Sequence, residues 1–418
     1  MGYFYPTVGA LANLTLIAFI ILSVLDYLML FSSNEPLSAE RHTPNRLSNG
    51  DVNQIRVSFA SHLPFRSKVE MIDEIPHQFQ IRDFAISWEA GPGQQKEIHY
   101  DLRPTERGSY SFGNMNFYVT GRIGLIRRKV TIPASKEVPV YPSFIQMRKF
   151  EMYAISNRLT DIGIKKIRRV GHTMEFDQIK EYVRGDDVRS INWKATARAN
   201  TLMVNQYQDE RSQQVISVVD MGRVMKMPFE GLSLLDYAIN TSLVISNIAL
   251  IKDDKAGFVG FTNDKITMVK PQKKRTHIRA IQEALYKADT NFLESSYEKL
   301  MVTLKSKVRQ RSLILLYTNF ETLSSMKRQL PYLTQIARDH LLVTVFFENT
   351  EMDRLIRQPA GKLEDIYTKT IAEKFSFEKR QIVKSLNQRG IQTILTAPKE
   401  LSVNAINKYL ELKARGLI

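Results

Sequence analysis

The chain has no cysteine among its 418 residues. This absence excludes disulfide bonds, cysteine-bound zinc and thiol nucleophiles, and it is typical of a protein kept in a reducing compartment. The phosphate-binding loop G-x-x-x-x-G-K-[ST] is also missing, and the seven histidines are scattered without an H-E-x-x-H spacing. We therefore expect the histidines to be surface or packing residues rather than metal ligands.

Acidic residues are in the minority. The sequence holds 59 Lys and Arg against 43 Asp and Glu, which gives a net charge of +16 and a pI near 9.7. Such a balance favours acidic partners, among them anionic lipid, nucleic acid and acidic proteins. Because a basic surface is also expected beside an anionic membrane, the charge alone does not require nucleic acid. With 43% hydrophobic residues, the chain has enough apolar surface for two or three domain cores.

Residues 8–31 form a nearly unbroken apolar run, long enough at ~1.5 Å per helical residue to span ~30 Å of hydrocarbon. No basic segment precedes the run and no clear small-residue cleavage site follows it, so we expect a membrane anchor rather than a signal peptide. Asp26 is expected near the far interface or against a partner, since a lipid-facing carboxylate is costly. Arg41, Arg46 and Arg56 follow the run, and the positive-inside rule then predicts a single-pass inner-membrane protein with the bulk of its chain in the cytoplasm.

The organisation of the chain changes three times. We expect a transmembrane anchor over 1–34, a β-sandwich domain over 35–145, a linker with a distinctive motif over 146–211 and an α/β domain over 212–418. Between 51 and 141, short runs of alternating polarity are separated by turn residues, and about seven such strands are typical of a small, immunoglobulin-like antiparallel sandwich. The linker is basic and is expected to contain a short helix.

The last part alternates continuous apolar runs with amphipathic segments. The predicted strands are 215–220, 256–262, 265–269, 312–317, 341–347 and 391–396, and the predicted helices are 231–251, 276–288, 295–308, 321–338, 361–389 and 400–415. Strands that are apolar throughout are buried on both faces, so the pattern predicts a doubly wound parallel sheet covered by helices. In such a fold the functional site lies where carboxyl ends of strands meet at a change of strand order.

The densest mixture of acids, bases and aromatic residues lies at 174–211. Its sequence Gly185-Asp186-Asp187 predicts a tight turn, because glycine tolerates a positive φ and aspartate can cap the helix that follows. The helix is expected from about Val188 to Ala199.

This helix gathers four side chains that can meet an anion: Arg189, Trp193, Lys194 and Arg198. It is therefore expected either to bind an anion or to hold two domains together. The ordinary alternative is an ion-pair network in which the cations pair with Glu181, Asp209 and Glu210. We expect Asp186, Asp187 and Arg189 to hold the segment against the α/β domain.

The same stretch resembles the signature of a bacterial and archaeal family catalogued as domain of unknown function 58. The positions that carry the resemblance are Glu175, Phe176, Tyr182, Gly185, Asp186, Asp187, Arg189, Ile191, Trp193, Lys194, Ala197 and Arg198. The resemblance implies a membrane-anchored protein with a β-sandwich followed by a von Willebrand factor A-like α/β domain. It also implies a MoxR-type AAA+ ATPase and other A-domain proteins as partners.

Von Willebrand A domains hold a divalent metal with an Asp-x-Ser-x-Ser loop after the first strand, a later threonine and an aspartate after the fourth strand. The corresponding positions here are Asp220, Gly222, Val224 and Asn319, with Thr276 or Thr262 as the source of a hydroxyl. One carboxylate, one amide and one alcohol hold a hard dication poorly, and Arg223 beside Asp220 competes for its place. We therefore predict a degenerate site without metal.

Two functions of different classes fit these features. The first is a non-enzymatic, membrane-tethered adaptor, without cofactor or catalytic residues, that works with a MoxR-type AAA+ ATPase and other A-domain proteins. The alternative is a nucleic-acid-binding or nuclease-like protein that uses the basic surface and Asp186 with Asp187; a membrane anchor is unusual for that task, and nearby cations are expected to pair with the two acids.

Overall fold

The computed structural model describes residues 6–155, 163–164, 175–184, 186–208, 212–290, 292–357, 359 and 362–417. The chain divides into two compact units, Met1–Ser143 and Phe144–Ile418. Within the described residues, the buried apolar side chains of the first unit form one cluster, and those of the second unit form two.

The first unit begins with an apolar helix, α1 (Pro6–Phe31). Its segment Gly9–Phe31 has a mean hydropathy of 2.4 and is only 11% buried, whereas Leu30 at its end packs into the core of the unit. One other helix of the described residues, Leu234–Ile251, is long and apolar enough to cross a membrane, but it is 89% buried, as expected of a core helix. The helix α1 is therefore the candidate for a membrane anchor or a signal sequence.

The rest of the first unit is β-rich, as predicted. In chain order its strands are β1 (Leu37–His42), β2 (Leu47–Ser48), β3 (Asn53–Ser61), β4 (Ser67–Asp73), β5 (Ile86–Ala90), β6 (Gln95–Leu102), β7 (Gly108–Phe112), β8 (Met115–Thr120), β9 (Arg127–Ile132) and β10 (Lys136–Tyr141). Their sheet orders are β1-β3-β6, β2-β10-β7 and β5-β4-β8-β9, with antiparallel pairing except for β2 beside β10. The unit has three strands more than the seven expected, because the polar strands β1 and β2 show no alternation and because one predicted run, 110–121, forms both β7 and β8.

The second unit contains the α/β region. In chain order its elements are α2 (Phe144–Ile155), β11 (Glu175–Glu181), α3 (Trp193–Ala199), β12 (Met203–Gln208), β13 (Gln214–Asp220), β14 (Pro228–Phe229), β15 (Leu232–Ser233), α4 (Leu234–Ile251), β16 (Lys255–Phe261), β17 (Ile266–Gln272), α5 (His277–Tyr286), α6 (Tyr297–Lys307), β18 (Leu313–Tyr317), α7 (Leu323–Asp339), β19 (Leu341–Phe347), α8 (Thr350–Arg357), α9 (Leu363–Asn387), β20 (Gln392–Thr396) and α10 (Leu401–Ala414). The predicted strands and helices from 215 onward all occur, with ends that differ by a few residues.

The main sheet has the order β17-β16-β13-β18-β19-β20, and it is parallel apart from the edge strand β17. Successive side chains of β13 enter opposite cores, since Val215 and Val219 pack with α4 and α10 while Ile216 and Val218 pack with α6 and α7. Helices thus cover both faces, which is the predicted doubly wound arrangement.

The elements that sequence missed in this unit are short or polar. The strands β11 and β12 pair with each other in a separate two-stranded sheet, and α8 lies between β19 and α9, where no helix was predicted. Of the predicted linker, α2 and residues 163–164 are described; 156–162 and 165–174 lie outside the described residues.

Candidate functional site

The carboxyl ends of β13 and β18 lie side by side where the strand order reverses. These two strands are the first and the fourth of the sheet in chain order, so their junction is the switch point of the fold. Asp220 ends β13, and Thr318 and Asn319 follow β18 directly. All three are buried, with exposed fractions of 1%, 0% and 4%. The structure therefore brings together the polar residues that the sequence placed at this edge.

The Asp220 carboxylate is surrounded by donors. Its Oδ1 accepts from the Gly222 N–H at 2.9 Å and from Ser295 Oγ at 2.5 Å. Its Oδ2 accepts from Thr318 Oγ1 at 2.7 Å and lies 3.0 Å from the Tyr297 hydroxyl. Because a carboxylate offers about four lone-pair positions, these four neighbours are enough to occupy them.

Gly222 allows this arrangement by its lack of a side chain. A Cβ at position 222 would overlap Ser295 Oγ and would lie 3.0 Å from both Asp220 Oδ1 and the Leu293 carbonyl. The space that a serine would fill in an Asp-x-Ser-x-Ser loop is thus taken by the Ser295 hydroxyl, which arrives from the segment before α6. The loop 220–224 and Ser295, which is distant in sequence, therefore pack directly against each other.

Tyr297 is the fourth hydrogen-bond neighbour of the Asp220 carboxylate. Burial and the neighbouring Asp220 carboxylate raise the pKa of the Tyr297 hydroxyl well above its ordinary value, so the group stays protonated. It also lies 2.7 Å from Thr318 Oγ1. Because this phenol stays protonated beside a carboxylate, it acts as a hydrogen-bond donor and does not ionise near neutral pH.

The other predicted hydroxyl donors are elsewhere. Thr276 is exposed at the start of α5, and Thr262 serves the β16–β17 turn by accepting from the Lys265 N–H at 3.0 Å. Val224 contributes its carbonyl oxygen, which accepts from Asn319 Nδ2 at 3.3 Å. The expectation that Thr276 or Thr262 faces Asp220 is thus corrected: Ser295, Tyr297 and Thr318 do so.

A lysine stands beside Asn319. The Lys379 ammonium, on α9, donates to Asn319 Oδ1 at 2.6 Å and to the Phe347 carbonyl at the end of β19 at 2.8 Å. Burial lowers the pKa of Lys379 to about 8, against the opposing effect of Glu321 and Glu348. The amide of Asn319 suits this position, because its oxygen meets the ammonium while its nitrogen meets the Val224 carbonyl.

A cavity of about 530 Å³ opens above Lys379 at the ends of β18, β19 and β20. Its apolar wall includes Phe229, Leu234, Phe375 and Leu395. Its charged lining is mixed in sign and consists of Lys379, Arg357, Arg380, Glu321, Glu348 and Glu351. An apolar wall with a few convergent polar groups is the usual composition of a ligand site.

The signature segment folds separately as a hairpin of β11 and β12. Asp186 closes it by accepting from the Val183 N–H and from Lys180 Nζ, both at 3.0 Å, and these two donors lower its pKa. Asp187 caps a 3-10 turn over Val188–Ser190 by accepting from the Arg189 N–H at 3.0 Å. The described bonds of both aspartates thus lie inside the hairpin, whereas we expected them to reach the α/β domain.

The predicted helix from Val188 to Ala199 is interrupted. Ile191 bridges to Val204, and the Asn192 N–H donates to the Met203 carbonyl, so β12 draws this pair into an extended backbone. Asn192 then caps α3 through the Ala195 N–H at 3.0 Å, and Asn200 ends it with a φ of 57°. The predicted end is confirmed, whereas the first turn is a separate 3-10 turn.

Trp193 and three basic side chains of the hairpin are exposed. Trp193 is 72% exposed, and Arg189, Lys194 and Arg198 are exposed and form no ion pair within the described part of the chain. Glu181 instead accepts from Thr201 at 3.4 Å. Asp209, Glu210 and Gly185 lie outside the described residues, as does the side chain of Glu175 on β11; Tyr182 is half-buried and donates its N–H to the Leu202 carbonyl.

This hairpin and the sheet that follows it have a counterpart among known families. Residues 178–372 match the family described as Protein of unknown function DUF58. The match starts in β11, spans Asp220, Ser295 and Asn319, and ends in α9 before Lys379. The resemblance drawn from the signature positions is therefore confirmed for this part of the chain.

The individual relatives are distant. The chain is 23% identical over 125 residues to the Uncharacterized protein YeaD of Bacillus subtilis (strain 168), which covers 29% of this chain and 30% of that protein. A CARDB domain from Pyrococcus furiosus is 18% identical, with a TM-score of 0.19 over 25% of this chain and 94% of that domain. Proximal thread matrix protein 1 from the mussel byssus is 9% identical, with a TM-score of 0.26 over 47% of this chain and 46% of its own. TM-scores this low carry no argument about the fold.

Two residues of this site could not have been found from the motif alone. Ser295 and Tyr297 lie in a stretch without a recognised pattern, and the only signal for them is their place just before a predicted helix. Lys379 is one of many lysines on an amphipathic helix. What singles these residues out is burial beside Asp220 and Asn319, which the local sequence does not encode.

Proposed function

We propose that this protein is a non-enzymatic, membrane-tethered adaptor whose α/β domain binds another protein at the carboxyl-end edge of its sheet. The observation that carries the proposal is the state of Asp220. Four hydrogen-bond neighbours surround its carboxylate, so we assign the acid at the switch point a structural role. The ligand-sized cavity that Asn319 and Lys379 line lies at the same edge of the sheet.

The α/β domain is proposed to be von Willebrand A-like. Asp220 after the first strand and Asn319 after the fourth strand stand at the positions where that resemblance places metal ligands. The donor set does not fit a divalent ion, because the site offers one enclosed carboxylate and an amide that already contacts an ammonium. Lys379 supplies an ammonium donor at the same edge.

The cavity suits a peptide segment of a partner. Lys379 has three N–H donors, and its hydrogen bonds to described residues, Asn319 and Phe347, use two of them. We propose that the third donates to an acceptor oxygen of the partner. The wall of Phe229, Phe375 and Leu395 would take an apolar side chain. From the family resemblance we propose a MoxR-type AAA+ ATPase as the partner, together with other A-domain proteins.

The helix α1 is proposed to be a retained anchor. Its end is built into the first unit: Leu30 is fully buried, and Arg128 donates to the carbonyl groups of Leu30 and Ser33 at 3.0 and 2.7 Å. Cleavage after the helix would remove Leu30 from the core and take away one of the carbonyl acceptors of Arg128. The proposed location is the inner membrane, with the bulk of the chain in the cytoplasm, in agreement with the arginines that follow the helix.

The test is capture of an AAA+ ATPase by the tagged full-length chain, extracted from membranes in a mild detergent and treated with nuclease. We expect Lys379→Met to reduce the captured ATPase at least tenfold. The matched control is Lys374→Met, which removes an exposed charge from the same helix. Equal capture by all three proteins, or no ATPase with any of them, would refute the proposed docking site.

A second candidate function follows from the exposed face of the hairpin. The hairpin carries an indole that is 72% exposed and three exposed cations, so a base could stack on the indole while phosphates bind arginine and lysine. Single-stranded nucleic acid binding would then fall steeply with salt and be lost in Trp193→Ala. A weak affinity that is insensitive to this substitution would leave the adaptor function.

A further inference from the structure

The loop between β8 and β9, residues 121–126, is fastened to the side of α1. Asp26 is 1% exposed, and its Oδ2 accepts from the N–H groups of Leu125 and Ile126, both at 2.9 Å. The approach is close, since a Cβ at Gly121 would lie 2.5 Å from Asp26 Oδ1. One oxygen of the acid inside the apolar helix is therefore bonded to a loop of the same unit, whereas Oδ1 is buried without a hydrogen-bond partner among the described residues.

The position of Asp26 on α1 determines how deep the loop lies relative to the proposed bilayer. Asp26 precedes the end of α1 at Phe31 by five positions, which is about 7.5 Å along a helix at ~1.5 Å per residue. A bilayer with ~30 Å of hydrocarbon takes up about 20 residues of such a helix, so Asp26 falls near its boundary. A loop held at Asp26 lies at the same boundary.

The composition of the loop fits that level. Ile123 and Leu125 are 38% and 43% exposed at its tip, and Arg122 and Lys129 are exposed beside them. On α1, Tyr27 and Phe31 stack at 4.5 Å and are about half exposed, in the manner of an aromatic belt. Apolar tips flanked by basic side chains are typical of segments that enter the interface of an anionic membrane.

We propose that the β8–β9 loop inserts Ile123 and Leu125 into the lipid interface next to α1, with Arg122 and Lys129 among anionic headgroups. Asp26 and Arg128 then act as positioning residues that hold the loop and the helix end together. The first unit then contacts the membrane at two points, the helix α1 and the loop 121–126, which fixes its orientation relative to the bilayer. This inference rests on the proposal that α1 spans a membrane.

The absence of cysteine gives a clean experiment on the full-length chain. Ile123→Cys carries an environment-sensitive fluorophore, and the protein is reconstituted into phosphatidylglycerol–phosphatidylcholine vesicles with or without brominated lipid. The control is Val52→Cys, which is 59% exposed. It precedes β3, whose other end pairs with Leu37 near the helix, so it lies about 30 Å along the strand from that junction.

We expect the probe at position 123 to shift to the blue and to be quenched by brominated lipid at least threefold more than the probe at 52. The combination of Ile123→Cys with Asp26→Leu should lose most of this difference, while Asp26→Asn, which keeps an acceptor oxygen, should retain it. Equal quenching at 123 and 52 would overturn the inference. So would a blue shift that appears only in native membranes, because a protein partner would then cover the loop.

A third probe separates this inference from the anchor itself. Leu16→Cys lies in the middle of α1. If the probe at 16 is quenched and the probe at 123 is not, the helix spans the membrane and the loop stays outside. If neither is quenched, the proposed anchor fails first, and the loop proposal is overturned with it.

Discussion

Replacing Asp220 by alanine is expected to destabilise the α/β domain strongly. The change removes the acceptor shared by the Gly222 N–H and the hydroxyls of Ser295, Thr318 and Tyr297. Each buried donor left without a partner costs ~1–3 kcal/mol. Because Tyr297 and Thr318 lie 2.7 Å apart and can pair with each other, we expect a total of ~3–5 kcal/mol rather than the full sum.

Asp220→Asn is the informative companion. Its amide keeps the shape of the side chain, and its oxygen can face Gly222 and Ser295 while its nitrogen donates to the Tyr297 or Thr318 oxygen. We therefore expect a loss of only ~1–2 kcal/mol. Asp264→Ala, in the exposed β16–β17 turn, is the control and should stay within ~0.5 kcal/mol of the wild type.

The assay is amide hydrogen exchange of the full-length chain in detergent, followed in peptides from β13 and β18. A loss of ~3–5 kcal/mol corresponds to two to four orders of magnitude in the exchange rate of the most protected amides, at ~1.4 kcal/mol per tenfold. Exchange in Asp220→Ala at the wild-type rate, together with lost partner capture, would refute the structural role and make Asp220 a binding residue.

Four further predictions concern Lys379, divalent metal ions, Asp187 and the orientation of the chain in the membrane. The pKa of Lys379 is lowered from 10.5 to about 8, so between these pH values the unfolded chain binds a proton that the folded chain lacks. The free energy of unfolding of the wild type should therefore rise by ~2 kcal/mol relative to that of Lys379→Met between about pH 8 and 10. A difference that does not change with pH in denaturant titrations would contradict this prediction. Millimolar Mg²⁺ or Mn²⁺ should leave the melting temperature unchanged, whereas a metal at a hundredfold its Kd would add ~2.7 kcal/mol; a rise abolished by Asp220→Ala would restore a metal site. Asp187→Ala should cost ~1 kcal/mol, as the loss of one cap, and Asp187→Asn less; a collapse of the whole α/β domain in exchange experiments would show that Asp187 reaches beyond the hairpin. A C-terminal reporter that works only in the periplasm should stay silent, and a strong signal would overturn the cytoplasmic orientation.

The elements of the α/β domain could be predicted because their signals are local. Strands buried on both faces need continuous apolar runs, and helices that cover them need one apolar stripe, so both patterns are written into short windows of sequence. The same logic placed Asp220 and Asn319 at one edge, since parallel strands end together at a switch point. The hairpin of β11 and β12 was missed because its strands are polar and pair only with each other.

What tertiary structure decided is which side chains meet. Asp220 is enclosed by Ser295, Tyr297 and Thr318, and Asn319 holds Lys379, a residue 60 positions away. Asp26, an anomaly in an apolar helix, is explained by a loop about 100 positions further along the chain. Such contacts depend on how layers stack and on what space glycines such as Gly222 and Gly121 leave open. The sequence by itself determined the strands, the helices and the position of the edge, but the partners of each polar group exist only once the sheet and its helices have packed.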